Sequence, residues 1–128
     1  MLEQLLALKR RRESRQRQQL AAGNQRYERL QNSLHALMEE RKQLHISWRE
    51  VGLQSKGKLA RERLHEVQRE LESHFQRDRA LDDEMVQIHQ ECEQWQREKA
   101  VLQQAIQRSR VEQEKLIYVL EEGQDAYS

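Results

Sequence analysis

Apolar residues recur along this chain at alternating spacings of three and four, which is the heptad spacing of a coiled coil. In the first half, positions a are Leu6, Glu13, Leu20, Tyr27, Leu34, Arg41 and Trp48, and positions d are Leu2, Lys9, Gln16, Gly23, Leu30, Leu37, Leu44 and Val51. Between Leu20 and Val51, only Gly23 and Arg41 interrupt the apolar series. The pattern predicts one long helix over about residues 2–51.

The second half resumes the same heptad pattern. Its positions a are Leu64, Leu71, Asp78, Met85, Cys92, Lys99, Ile106, Gln113 and Leu120, and its positions d are Ala60, Val67, His74, Leu81, Ile88, Trp95, Leu102, Ser109 and Leu116. Because one frame is kept for about eight heptads, we expect one unbroken helix over about residues 58–122, followed by a polar tail over 123–128.

A short polar stretch, VGLQSKGK, separates the two halves. Glycine is unfavourable inside a helix and suits its C-terminal end, and serine suits the next N-terminus, so Gly52, Ser55 and Gly57 predict a turn over about 52–57. A loop this short makes its helices antiparallel neighbours. The expected fold is all-α: residues 1–128 form a single long two-helix antiparallel coiled-coil hairpin.

The turn position also predicts which residues face each other. If the loop is centred near Gln54, the numbers of facing residues add to about 108, and positions a of one helix then lie on positions d of the other. Two layers match a large residue with a small one, Trp48 with Ala60 and Met85 with Gly23. Other layers are poor: Leu30 faces Asp78, Leu34 faces His74, Arg41 faces Val67, and Lys9 faces Lys99. A shift by one heptad would also keep a on d.

This register predicts a protruding C-terminal helix end. Met1 pairs near residue 107, so some 15 residues of helix extend about 20 Å beyond the paired part at ~1.5 Å per residue. The apolar cluster LIYVL, residues 116–120, lies on this extension. Exposed apolar clusters usually mark interaction sites, so partner binding is the favoured interpretation. Pairing with another copy and a folded-back or frayed end are the alternatives.

Composition supports helices over disorder. The chain is 35% charged and has no proline, and its 23 basic and 22 acidic residues nearly balance. High charge with low hydrophobicity is typical of disordered chains. Regular apolar spacing and the abundance of strong helix formers argue against disorder here.

A basic run near the N-terminus, LKRRRESRQRQQ, is the strongest local charge feature. It has four interpretations: a nucleic-acid contact, a localisation signal, a contact with an acidic protein surface, or a solvated helix face. The predicted register places it opposite Glu91, Glu93 and Glu98, which favours the solvated face. Because the run lacks interleaved aromatic residues, we expect no nucleic-acid partner.

Catalytic and metal-binding patterns are weak. His89 and Cys92 share a helix face, but two ligands fall short of the four of a structural zinc site. No nucleophile has a base and an orienting group nearby in the pattern, and two helices offer no cavity for chemistry. We therefore expect no enzyme activity, no metal and no cofactor. No apolar run approaches the ~20 residues of a membrane span, and the N-terminus lacks the order of a secretory signal.

The whole chain resembles the YscO/FliJ family, the stalk proteins of bacterial type III secretion systems. The resemblance lies in the opening MLEQLLALKRRRE, the GLQSKGK turn between two long helices, and the ending LIYVLEEGQDAYS. It implies a cytoplasmic protein, peripheral to the bacterial inner membrane, whose joined helix ends enter the pore of the hexameric secretion ATPase. The turn would face the export gate, and some members of the family also bind chaperones.

The resemblance implies two contact surfaces. The expected ATPase-binding residues are Leu116, Ile117, Val119, Leu120, Leu2, Leu5, Leu6, Arg10, Arg11, Arg12 and Arg15. The expected residues facing the export gate are Trp48, Val51, Leu53, Leu59 and Leu64. A generic coiled-coil adaptor or self-associating scaffold is the alternative, whereas the hairpin interpretation predicts a monomer.

Overall fold

The protein contains two long helices in the computed structural model, which describes residues 1–54 and 61–127. Helix α1 spans Leu2–Gln54 and helix α2 spans Arg61–Tyr127. Among the described residues only Met1 lies outside a helix, so the predicted all-helical class is confirmed. The two helices pack against each other, as in a helical hairpin.

Both helices continue beyond their predicted C-terminal ends. Helix α1 continues through Gly52 to Gln54, and α2 continues through residues 123–127, where a polar tail was predicted. A single glycine costs only about 1 kcal/mol in a helix. Because the chain has no proline, Gly52 does not end α1 and Gly123 does not end α2. The rest of the predicted turn, residues 55–57, and the predicted start of the second helix at 58 lie outside the described residues.

The least exposed side chains follow the predicted heptad frame. In α1 the buried and half-buried residues from Leu6 to Gly52 are the a and d positions, with Gln31 and Gly52 in addition. In α2 they are the a and d positions from Val67 to Leu120, with three further residues, Glu91, Ala105 and Ile117. Leu6, Leu34, Leu81, Cys92 and Ile106 are the buried apolar side chains. The helices therefore face each other through their a and d positions, as the periodicity predicts. We call these positions the seam.

Contacts divide the described chain into two compact units. The first, which we call the terminal unit, combines residues 1–28 with the chain from Glu93 onward. The second, the middle unit, spans Arg29–Cys92.

The terminal unit fixes its own register by three contacts. Lys9 forms an ion pair with Glu112, and Arg110 Nε lies 3.6 Å from Glu13 Oε1. Gly23 lies against the six-membered ring of Trp95, so close that a Cβ atom there would overlap the ring. The numbers of these pairs add to between 118 and 123.

The middle unit has a similar register. Gln31 Nε2 donates to Cys92 Sγ at 3.5 Å, Arg41 Nε donates to Asp78 Oδ1 at 2.9 Å, and the Trp48 and Phe75 ring centroids lie 6.3 Å apart. Arg77 Nη2 donates to Glu40 Oε1 at 2.6 Å. These pairs add to between 117 and 123.

The predicted sum of 108 is therefore wrong by about two heptads. Apolar periodicity cannot distinguish registers that differ by whole heptads, because each keeps a on d. The polar residues of the seam distinguish them. Arg41 meets Asp78 instead of Val67, Lys9 meets Glu112 instead of Lys99, and Trp95 fills the space at Gly23 that was assigned to Met85.

The predicted protruding C-terminal end is also wrong, because it was derived from the wrong register. Since Lys9 pairs with Glu112, the first turn of α1 comes near residue 120 and covers most of the presumed extension. Leu116, Ile117 and Leu120 are half-buried rather than bare.

Candidate protein-interaction surfaces

Exposed apolar side chains lie on the terminal unit, all of them except Leu2 at positions other than a and d. Leu2, Leu5 and Leu8 of α1 are about two-fifths exposed, and Tyr118 and Val119 of α2 are 61% and 50% exposed. The predicted ATPase-binding set therefore divides: Leu2, Leu5 and Val119 are exposed, whereas Leu6 is a buried core residue. Sequence reasoning missed Leu8 and left Tyr118 out of that set. Their signal was an apolar residue outside positions a and d.

The observed register gathers positive charge on both helices of this unit. We call residues 9–17 of α1 and 108–115 of α2 the basic band. It holds nine lysines and arginines against Glu13, Glu112 and Glu114, a net charge of +6. The acids predicted opposite the run, Glu91, Glu93 and Glu98, lie elsewhere along α2. The solvated-face interpretation thereby loses its main support.

Local contacts show how little of this charge is neutralised. Glu13 Oε1 lies 3.5 Å from Arg17 Nη2 and 3.6 Å from Arg110 Nε. Glu112 forms an ion pair with Lys9. The hydrogen bond from Lys9, followed by the charges of Lys9, Lys115 and Arg108, lowers the pKa of Glu112. The four arginines of the predicted ATPase-binding set are exposed and have no ion-pair partner in the described part of the chain: Arg10, Arg11, Arg12 and Arg15.

A polar cluster interrupts the seam of the middle unit. The Arg41 guanidinium group donates two hydrogen bonds to Asp78, from Nε to Oδ1 at 2.9 Å and from Nη2 to Oδ2 at 3.4 Å. Its Nη1 donates to Asp82 Oδ1 at 3.3 Å. His45 Nε2 lies 2.7 Å from Asp78 Oδ1. The hydrogen bonds from Arg41 and then His45 lower the pKa of Asp78, and the bond to Asp78 raises the pKa of Arg41. This cluster holds the two helices in register.

The predicted export-gate residues are divided between packing and surface. Trp48 is half-buried between His45, at a centroid distance of 6.4 Å, and Phe75, at 6.3 Å. Val51 is half-buried, whereas Leu53 is 63% exposed and Leu64 is also exposed. Leu59 lies outside the described residues. Arg79 stands over the Phe75 ring at 5.8 Å from its centroid, an exposed cation–π contact that the sequence did not reveal.

The remaining candidate chemistry is sparse in the described residues. His89 is exposed, while Cys92 is buried against Gln31. The described part of the chain has no group of three or more His, Cys, Asp or Glu side chains placed to hold a metal ion. Neither described helix has a stretch both long and apolar enough to cross a membrane.

Comparison of the chain with protein-family models, with curated proteins and with solved structures gives no match.

Proposed function

We propose that this chain is a central stalk protein of a bacterial type III secretion system, similar to the YscO/FliJ proteins. In this proposal residues 1–128 form one antiparallel coiled-coil hairpin without enzyme activity or cofactor. It works in the bacterial cytoplasm, at the inner-membrane secretion apparatus. The heptad spacing of the least exposed side chains in both helices supports the coiled coil.

One observation carries the proposal: a basic band of net charge +6 adjoins exposed apolar side chains on the unit that contains both chain ends. A concentrated positive field attracts an acidic surface over a distance, and apolar side chains stabilise the complex after contact. Such a surface suits the acidic pore of a protein ring.

The contact with the secretion ATPase is assigned to side chains of both helix ends. Leu2, Leu5 and Val119 would touch the ring directly. Leu116, Ile117 and Leu120 would support them, with Leu6 holding the helices together. Arg10, Arg11, Arg12 and Arg15 would steer insertion. Because α1 covers most of the C-terminal end, the two helices would enter the pore as a pair.

The other partners are assigned to the opposite ends of the helices in sequence. Trp48, Val51, Leu53, Leu59 and Leu64 would face the export gate, and chaperones are further candidate partners.

A pull-down with the purified hexameric secretion ATPase of the same bacterium tests the assignment. We expect Arg11→Glu/Arg12→Glu to weaken binding and to remove stimulation of ATP hydrolysis. The matched control is Arg29→Glu/Arg69→Glu, which changes the charge equally at exposed positions outside the basic band. Unchanged binding after deletion of residues 112–128, in a variant that remains helical, would refute the ATPase-binding surface.

The alternative function is a coiled-coil scaffold that self-associates. Exposed valines outside the seam, Val86 and Val101, favour it because they offer apolar surface on both units. Sedimentation separates the two functions, since the scaffold has a mass of at least two chains or a mass that rises with concentration, whereas the stalk has the mass of one chain.

A further inference from the structure

An open groove lies on the middle unit and contains no residue of either assigned contact surface, although His45 and Arg49 of its lining adjoin Trp48. Its volume is ≈ 610 Å³, and its apolar lining residues are Met38, Ile46 and Met85. Met38 is 50% exposed and Ile46 is 41% exposed. Methionine side chains are flexible and polarizable, and they are common on surfaces that accept helices of varied sequence. The groove therefore offers an adaptable apolar floor.

Two further cations line the same groove. Arg41 and His45 also line it, but both are engaged by Asp78. Lys42 and Arg49 are exposed, and neither has an ion-pair partner within the described residues. They are seven residues apart on one face of α1, about 10 Å along the helix. Acidic residues one heptad apart on a second helix match this spacing.

The groove is also long enough to hold a short helix. From Met38 to Arg49 the lining of α1 spans about three helical turns, or roughly 17 Å. A helix laid in such a groove contributes apolar residues at spacings of three and four, and its flanks meet the rim. Apolar floor and cationic rim together select an amphipathic helix with an acidic flank.

We propose that this groove binds an acidic amphipathic helix of a partner protein, with its apolar stripe on Met38, Ile46 and Met85 and its carboxylates on Lys42 and Arg49. The inference does not depend on the proposed function, because it uses none of the residues assigned to the ATPase or the export gate. A nucleic-acid partner is disfavoured by the apolar floor, since phosphate contacts need cations and not methionines.

The test uses the full-length chain and a designed probe. The probe is a fluorescein-labelled 18-residue helical peptide with leucines at spacings of three and four and glutamates on the flanks. A matched peptide carries lysines in place of the glutamates. Fluorescence anisotropy at physiological salt should give saturable binding of the acidic peptide. The lysine peptide should bind at least about tenfold more weakly than the acidic peptide.

Matched variants locate the binding. Lys42→Glu/Arg49→Glu should weaken the acidic peptide about tenfold and strengthen the lysine peptide, whereas Arg29→Glu/Arg69→Glu, with the same charge change, should leave both unchanged. Met38→Ser/Ile46→Ser should weaken both peptides. Circular dichroism checks that each variant keeps its helices.

Four outcomes would overturn the proposal: no saturable binding of the acidic peptide, equal binding of both peptides, an equal loss in the control variant, or salt-dependent binding of a 20-base-pair DNA duplex without peptide binding. Removal of self-association by Lys42→Glu/Arg49→Glu, without peptide binding, would assign the groove to a second copy instead.

Discussion

At the scale of single residues, the glycine in the seam is as specific as any large side chain. Gly23 leaves the space that the Trp95 ring occupies, so the ring reaches the backbone of the other helix. The predicted register also gave this glycine a large partner, but it named Met85. The structure makes the glycine the complement of a tryptophan more than half of the chain away.

We expect Gly23→Ala to destabilise the protein by about 1–3 kcal/mol through overpacking, less the ~1 kcal/mol that alanine gains as a better helix former. Urea unfolding followed by circular dichroism measures the net change. The control is Gly52→Ala, where an added Cβ meets nothing within 4 Å, and which should be neutral or stabilising. Equal stability of both variants would mean that Trp95 moves aside without cost.

Asp78 gives the second residue-scale prediction. Its carboxylate is only 17% exposed and receives hydrogen bonds from Arg41, so Asp78→Asn should lower the free energy of unfolding at pH 7 by about 1–3 kcal/mol. Its pKa is lowered in the folded state. The carboxylate therefore stabilises the fold above its unfolded pKa of about 4 and loses this effect as pH falls through the folded value.

The difference between wild type and Asp78→Asn should accordingly be largest at neutral pH and shrink below about pH 4. Urea titrations at a series of pH values measure it. Asp83→Asn, an exposed position with the same charge change, should show little effect at any pH. A difference that grows on acidification would contradict the role assigned to the carboxylate.

At the scale of the elements, the heptad frame was predictable and the register was not. The frame follows from side-chain spacing within one helix, so the residues from Leu6 to Val51 reveal it without a partner. The register depends on which polar residues meet, and it was derived instead from the position of the turn. Lys9 opposite Lys99 and Arg41 opposite Val67 already marked that register as unfavourable. Requiring a carboxylate for each cation would have pointed to Asp78 and Glu112.

The composition of the candidate surfaces also depends in part on the register. Leu2, Leu5 and the arginines of the basic run, all on α1, were among the predicted residues, whereas Leu8 was missed. The cations of α2 in the basic band were not predicted, because only the register brings residues 108–115 beside residues 9–17.

Cross-linking tests the register in the terminal unit. Gln19 and Val101 line one groove, so Gln19→Cys/Val101→Cys in a Cys92→Ala background should form an intramolecular cross-link with a short bis-maleimide. Gln19→Cys/His89→Cys, which matches the predicted sum of 108, should not, because residue 89 lies about 18 Å from residue 101 along α2. The opposite result, seen as gel mobility and peptide masses, would restore the register expected from the turn.

At the scale of the whole molecule, the decisive property is whether the seam is satisfied within one chain. In the described residues, the a and d side chains from Leu6 to Val51 and from Val67 to Leu120 are already buried or half-buried without a second copy. A partner helix would therefore have to displace existing contacts or bind outside the seam. We expect a single species of 15.5 kDa by sedimentation equilibrium, with a mass that does not change over a hundredfold range of concentration. An obligate scaffold would instead give at least twice this mass at every concentration. A mass that rises with concentration, and falls when Val86→Ser/Val101→Ser removes the exposed valines, would favour the scaffold over the stalk.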